Sequence, residues 1–222
     1  MEVDGRKYRA LIDTGGSMSW ISSAAAVNKE SIGTIYSTNA QWKQVKEQIV
    51  NIEELKLKGL KIKNIKMHSS PSFGRAFDVI IGNDILKNFA VAFDNGRRGF
   101  YLFNKMPADQ GDIVIDFKLN GVMFLSGINI DGKEMDNIML DTGNTRCEFF
   151  LDNKYFSSRH VWESYITAHG IKYAPAIIKS DVCKVEINGR EFTCIKEAKN
   201  MDINLMGYHF LNRFLLVMLD YE

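Results

Sequence analysis

The sequence has few of the residues that mark small secreted proteins or membrane proteins. It contains three cysteines among 222 residues, too few for a disulfide framework. The 28 Lys and Arg residues nearly balance the 27 Asp and Glu residues, and this balance argues against nucleic acid or a membrane surface as a partner. No apolar run is as long as a membrane-spanning helix, and the first residues do not resemble a signal peptide.

Metal-binding and cofactor signatures are also missing from the sequence. No CxxC pair occurs, and the four histidines lack the spacing of metal ligands. We therefore expect neither a metal nor a cofactor. Cys183 and Cys194 flank a segment centred on Asn188-Gly189, which predicts a hairpin with the two cysteines opposite each other. A disulfide and a pair of packed free thiols are both open there.

Glycine turns and β-branched residues dominate what the sequence does contain. Short alternating segments separated by glycine predict a mostly β protein. Short helices are predicted at 83–89 and 208–214, and a longer helix at 158–169, where apolar residues share a helical face. The segment 41–55 fits either a helix or a strand, and its place in the chain favours a strand.

The tripeptide Asp-Thr-Gly occurs twice, each time at the end of an apolar segment. Setting Asp13 on Asp141 aligns four further landmarks in the same order and at nearly the same spacing. These landmarks are an Asp-Gly turn (Gly5, Gly132), a turn glycine (Gly59, Gly189), a glycine before a short helix (Gly82, Gly207) and a strand ending in aspartate (91–94, 217–220). Such agreement indicates an internal duplication.

The duplication predicts two lobes, residues 1–106 and 112–222, with the boundary near FNKMPADQGD. The second lobe begins with GDIVIDFKLNGVMFLSGINIDG, whereas the first opens directly with MEVDG. One strand of the repeat therefore has no counterpart at the start of the chain. We expect a truncated or processed N-terminus.

The repeated pattern resembles a lobe of a retropepsin-type aspartic protease. The segments that carry this resemblance are LIDTGGS and VIIGNDIL in the first copy, and MLDTGNT and NLMGYHFL in the second. Retropepsins are homodimers of one such lobe, whereas pepsins carry two lobes in a single chain. The resemblance covers nearly the whole chain. It implies an all-β, bilobal aspartic protease fold with two β-barrel lobes and a few short helices, and it implies a monomer.

The resemblance also implies that Asp13 and Asp141 form one catalytic pair between the lobes. Hydrolysis by this route needs two facing carboxyl groups that share a proton and hold a water molecule. A single aspartate is common in turns. Two facing carboxylates destabilise a fold unless they are protonated or otherwise compensated, so the presence of both favours a catalytic role.

Six neighbours would support this pair. Bare glycine backbone allows close approach, the threonines would hydrogen-bond across the lobe interface, and two further hydroxyls would bond the outer carboxylate oxygens and favour the ionised form. In that order these residues are Gly15 and Gly143, Thr14 and Thr142, and Ser17 and Thr145.

Three residues are candidates for contact with substrate. Trp20 stands where pepsin-like enzymes carry a tryptophan behind the active site. Tyr36 lies in the segment that would form the flap, which is poorer in glycine than retropepsin flaps, so a core or surface role is also open. Arg146 follows the second motif, where retropepsins are often acidic; it either favours an acidic substrate side chain or is simply solvated.

The sequence thus predicts an aspartic endopeptidase that cleaves an extended peptide or protein substrate between mildly acidic and neutral pH. The alternative is a duplicated aspartic-protease-like domain that binds peptides or partner proteins without cleaving them. Another alternative is a form that needs upstream residues for activity. The sequence does not determine the compartment; family habit leads us to guess an exported bacterial protein, periplasmic or extracellular.

Overall fold

The computed structural model describes residues 1–38, 44–57, 60–71, 76–107, 111–135, 137–156, 163–167, 170–174, 180–199 and 203–221. These residues are mostly in β-strands, joined by two short α-helices and one 3-10 turn, so the predicted all-β class is confirmed. No helix in this described part is long and apolar enough to cross a membrane. Spatial contacts divide the chain into two compact units, Met1–Ile12 with Met18–Gly82, and Asp13–Ser17 with Asn83–Glu222.

The described strands of the first unit form one eight-stranded sheet. Its strands are β1 (Glu2–Val3), β2 (Arg6–Lys7), β3 (Ala10–Ile12), β4 (Trp20–Ser22), β5 (Ser31–Thr38), β6 (Gln44–Leu57), β7 (Leu60–Ser70) and β8 (Val79–Ile81). Their order is β2-β1-β6-β7-β4-β8-β3, with β5 paired to β6 beside this path. Val50, Ile52 and Leu55 of β6 are buried and pack into the core of the unit with Met67. The described part of 41–55 is therefore a strand.

The second unit contains the remaining elements. Up to the second motif they are α1 (Asn83–Leu86), β9 (Ala90–Asp94), β10 (Gly99–Phe103), β11 (Phe117–Asn120), β12 (Val122–Leu125), β13 (Ile128–Ile130), β14 (Lys133–Met135) and β15 (Ile138–Asp141). Beyond it they are β16 (Phe149–Asp152), a 3-10 turn (Asn153–Tyr155), β17 (Glu163–Thr167), β18 (Gly170–Ala174), β19 (Ser180–Ile187), β20 (Arg190–Lys199), β21 (Asn204–Gly207), α2 (Tyr208–Leu211) and β22 (Leu216–Leu219).

The described strands of this second unit form three sheets. The largest has the order β11-β12-β15-β21-β16-β20-β19-β13-β14, and the smaller ones are β10-β9-β22 and β17-β18. Aromatic side chains fill part of its core: the ring of Phe210 packs against the rings of Phe149, Phe192 and Phe214 at centroid distances of 5.1, 5.6 and 5.4 Å. Such tilted and edge-on contacts are favourable for aromatic rings.

Each motif strand has a parallel neighbour at the corresponding place in its own unit, and β15 pairs in addition with β12. Strand β3 pairs in parallel with β8, and β15 pairs in parallel with β21. Strand β8 also pairs with β4 in antiparallel fashion, as β21 does with β16. A duplication requires this correspondence. The lobes at 1–106 and 112–222 remain a prediction from the sequence.

The predicted hairpin around Asn188-Gly189 is present. Strands β19 and β20 pair in antiparallel fashion, with Cys183 opposite Cys194. Asn188 and Gly189 both have positive φ, 49° and 74°, as a two-residue turn that matches the twist of the strands requires. Both cysteines are buried and free, which agrees with the packed-thiol alternative.

The helix predictions have mixed outcomes. The two short helices are present as α1 and α2, although each is only four residues long. The helix predicted at 158–169 is wrong where it can be assessed, because residues 163–167 form β17 and pair with β18. Tyr165, Ile166 and Thr167 are residue types that favour a strand. The other residues of that predicted helix lie outside the described part of the chain.

Candidate active site

Both Asp-Thr-Gly turns belong to the second unit, since residues Asp13–Ser17 are grouped with it. The two turns have the same backbone form. The Gly16 N–H donates to the Asp13 carbonyl at 3.2 Å, and the Asn144 N–H donates to the Asp141 carbonyl at 3.1 Å. Each aspartate therefore starts a tight turn directly after an apolar segment, and its side chain is positioned by the backbone that follows.

The threonines of the two motifs bind each other reciprocally. The Thr14 N–H donates to Thr142 Oγ1 at 3.0 Å, and the Thr142 N–H donates to Thr14 Oγ1 at 3.1 Å. The Thr14 hydroxyl in turn donates to the Leu140 carbonyl at 2.8 Å. Both threonines are buried. A buried N–H without a partner is costly, so these bonds hold the two turns in one fixed arrangement.

This arrangement places the two carboxyl groups against each other. The Asp13 carboxyl is hydrogen-bonded to that of Asp141. Each also accepts a backbone hydrogen bond: Gly15 N–H donates to Asp13 Oδ1 at 2.9 Å, and Asn144 N–H donates to Asp141 Oδ1 at 3.0 Å. A hydrogen bond between two carboxyl groups requires that one of them carry a proton.

The motif glycines make this close approach possible. A Cβ on Gly15 would lie 2.6 Å from Cγ of Asp141, and a Cβ on Gly143 would lie 2.7 Å from Cγ of Asp13. Both distances are shorter than carbon atoms that are not bonded to each other can approach. Each glycine therefore lies directly beside the aspartate of the other motif, and any side chain at either position would displace a carboxyl group.

The electrostatics of the pair favour a shared proton. Burial raises the pKa of Asp13 from 3.8 to about 7, and the negative charge and hydrogen bond of Asp141 act in the same direction. The N–H groups of Gly15 and Gly16 oppose this increase by stabilising the carboxylate. The pair therefore keeps one proton up to about neutral pH, which leaves one carboxyl group as an acid and the other as a base.

Ser17 and Thr145 are both exposed. Within the described part of the chain, neither hydroxyl hydrogen-bonds to the carboxyl group of its own motif. The backbone N–H groups of Gly15 and Asn144 supply the observed bonds instead. The supporting role of the two hydroxyls remains a prediction.

Trp20 and Tyr36 belong to the first unit. The indole Nε1–H of Trp20 donates to Glu47 Oε2 at 3.0 Å, and the same oxygen lies 3.2 Å from His68 Nδ1. Glu47 and His68 are both 4% exposed, so these side chains form a buried polar cluster. Tyr36 lies on β5 and is 66% exposed. The substrate contacts of Trp20 and Tyr36 remain predictions.

Arg146 has a partner within its own unit. Its guanidinium Nε lies 3.7 Å from Glu197 Oε2, and its backbone N–H donates to Asn144 Oδ1 at 3.1 Å. The guanidinium is therefore engaged with a carboxylate of the protein, although part of it is exposed. Its contact with an acidic substrate side chain remains a prediction.

Sequence reasoning missed two groups of residues. Asn83 directly follows the predicted glycine landmark Gly82, yet its side chain bonds the first motif turn: Nδ2 donates to the Thr14 carbonyl at 2.6 Å. A polar residue beside a turn glycine was the available signal. The second group is the pair Glu47 and His68, which no local pattern brings together because they lie on different strands.

A comparison with protein families found a match for the first part of the chain. The model of the family described as gag-polyprotein putative aspartyl protease matches residues 1–88. The match includes the first Asp-Thr-Gly motif and Asn83, and it indicates an aspartyl protease-like domain in this part of the chain. A search of curated proteins found no match.

Proposed function

We propose that this chain is an aspartic endopeptidase whose catalytic pair is Asp13 and Asp141. The observation that supports this most strongly is the hydrogen bond between their carboxyl groups, together with an Asp13 pKa raised to about 7. An acid and a base side by side at neutral pH are what water activation needs. The match of residues 1–88 to an aspartyl protease family supports the same reaction class.

The proposed reaction begins with a water molecule held by both carboxyl groups. The ionised carboxylate takes a proton from this water as the water oxygen bonds to the peptide carbonyl carbon. The protonated carboxyl group gives its proton to the carbonyl oxygen, and a tetrahedral diol forms. The C–N bond then breaks as the protonated carboxyl group gives its proton to the amide nitrogen, while the other carboxylate takes a proton from a diol hydroxyl, which becomes the C=O of the acid product. The pair ends with the same single proton, ready for another water.

The substrate in this proposal is an extended peptide, with apolar side chains around the scissile bond. Since the raised Asp13 pKa preserves the shared proton, activity should extend from mildly acidic pH to about pH 7. Above that range both carboxyl groups ionise, and the acid is lost. One chain supplies both aspartates, so the proposed active form is a monomer.

The test is cleavage of a mixed peptide library from pH 3 to 8, followed by mass spectrometry, with and without a statine-type transition-state analogue. We expect cleavage that the analogue inhibits. D13N and D141N should each reduce kcat by at least about a hundredfold. The matched control is D112N, which changes a carboxylate that is 88% exposed and should leave cleavage unchanged.

Other outcomes would reject this proposal. Binding of the analogue without cleavage at any pH would instead support the alternative, a silent domain that binds peptides or partner proteins. Cleavage that survives in both D13N and D141N would show that the reaction uses other residues.

A further inference from the structure

Asn83 is a buried polar residue that the proposed reaction does not use directly. It is 1% exposed, and the structure gives each of its polar groups a partner. Its backbone N–H donates to the Gly16 carbonyl at 2.8 Å. Its Nδ2 donates to the carbonyls of Thr14 and Gly121 at 2.6 and 3.2 Å. Its Oδ1 accepts from the Tyr221 hydroxyl at 2.9 Å.

The bond to the Thr14 carbonyl acts on the peptide group that also carries the Gly15 N–H. The C=O and N–H of a trans peptide lie in one plane and point in opposite directions. The same peptide donates from Gly15 to Asp13 Oδ1 at 2.9 Å. Asn83 is therefore linked to the carboxyl group of Asp13 through one rigid peptide, with a hydrogen bond at each end.

Tyr221 in turn fixes the amide of Asn83. Burial raises the pKa of Tyr221, so its phenol stays protonated and donates to Oδ1. The ring of Tyr221 also packs edge-on against Phe117 at a centroid distance of 5.8 Å. If the amide of Asn83 rotated, it would lose the hydroxyl and both carbonyls together, so Tyr221 determines the direction in which Nδ2 points.

The second motif is supported differently. Tyr208 follows Gly207 as Asn83 follows Gly82, and its backbone N–H donates to the Asn144 carbonyl at 2.9 Å. Its side chain, however, extends to Asn95, where the hydroxyl donates to Oδ1 at 2.7 Å. The backbone bond thus recurs at both motifs, while the equivalent side chains bind different partners.

We propose that Asn83, held by Tyr221, is a positioning residue that aims the Gly15 N–H at the carboxyl group of Asp13. This inference rests on the proposed function, because it assigns Asn83 a role at the same carboxyl pair. Asn83 acts on the carboxyl group through the backbone and touches no reacting atom. Loss of its side chain should therefore change how Asp13 titrates as well as how fast the protein cleaves peptides.

The test compares N83A, Y221F and Y208F with the unmodified chain. The Asp13 titration is followed by NMR of ¹³C-labelled aspartate, and kcat and KM are measured from pH 3 to 8. Because the Gly15 N–H lowers the pKa of Asp13, N83A should raise that pKa and move the alkaline limb of kcat to higher pH. We expect kcat to fall about tenfold, as for one lost hydrogen bond, with KM little changed.

The two tyrosine variants form a matched pair. Each removes one phenol hydroxyl that is hydrogen-bonded to an asparagine at 2.9 or 2.7 Å. Y221F should move the Asp13 titration in the same direction as N83A, but less. Y208F should leave that titration and the pH profile unchanged, although it can lower the stability of the fold. Asp141 is the charged group that faces Asp13, so it is labelled and titrated in the same spectra.

Several results would overturn the inference. One is a folded N83A with an unchanged Asp13 titration, and another is an equal response to Y208F and Y221F. If N83A does not fold, a folded Y221F with an unmoved titration would refute the role as well. Absence of cleavage by the unmodified chain would refute the proposed function, while the NMR titration would still decide whether Asn83 positions the Gly15 N–H.

Discussion

Replacing Asp13 by asparagine should increase the free energy of unfolding relative to the unmodified chain, and this increase should be larger at pH 8 than at pH 4. The pKa of Asp13 is 3.8 in the unfolded reference and about 7 in the fold. Between these values the folded state binds more protons than the unfolded state. The stability contributed by the Asp13 proton is therefore fully present below pH 3.8 and is lost as the pH rises through 7. Asparagine is nearly isosteric, carries no charge and removes this dependence.

The magnitude follows from the pKa difference. Each pKa unit corresponds to about 1.4 kcal/mol, so ionising Asp13 in the fold costs about 4 kcal/mol at pH 8. This is an upper value, because Asp13 is only partly buried and water screens part of the interaction. D13N should recover a large share of this free energy at pH 8 and little of it at pH 4.

The measurement is the free energy of unfolding in urea for the unmodified chain and D13N at both pH values. Taking the difference between the two proteins at each pH removes the contribution of all other titrating groups. D112N serves as the control, because its carboxylate is 88% exposed. If D13N had the same effect on stability at pH 4 and pH 8, Asp13 would not hold its proton in the fold, and the acid–base reasoning would fail.

Two further substitutions test the packing around buried polar groups. G15A should abolish cleavage and destabilise the fold by about 1–3 kcal/mol, because its Cβ would lie 2.6 Å from Cγ of Asp141; peptide cleavage and urea unfolding measure both effects. E47L should lower the free energy of unfolding by about 3 kcal/mol in the same assay, since the Trp20 indole and the His68 ring lose their buried partner.

Each of these predictions has a control within the chain. G111A adds a methyl group whose nearest neighbour is 3.8 Å away, so it should leave both cleavage and stability unchanged. E53Q changes a glutamate that is exposed on the same strand, β6, and should have no comparable effect. An active G15A, or an E47L as stable as the unmodified chain, would contradict the packing described for these sites.

The sequence predicted features that follow from local periodicity and from turn chemistry. Alternating apolar residues indicated the strands, and an Asn-Gly pair indicated the hairpin that places Cys183 opposite Cys194. The longer helix failed because its apolar spacing also suits a strand, and the pairing of β17 with β18 decided between them. Strand pairing is a long-range interaction, and a short window of sequence does not contain it.

The sequence repeat predicted the positions of the two motifs. It also predicted equivalent surroundings for them, and the side chains that support the two turns differ. Alignment of the copies places Asn83 on Tyr208, two side chains with different hydrogen-bonding capacities. The backbone bond to the motif turn is common to both positions, whereas the side chains bind different partners. The amide of Asn83 is short and can reach the Thr14 carbonyl at 2.6 Å, whereas the phenol of Tyr208 extends to Asn95. The two aspartates therefore occupy similar turns that are supported by different side chains.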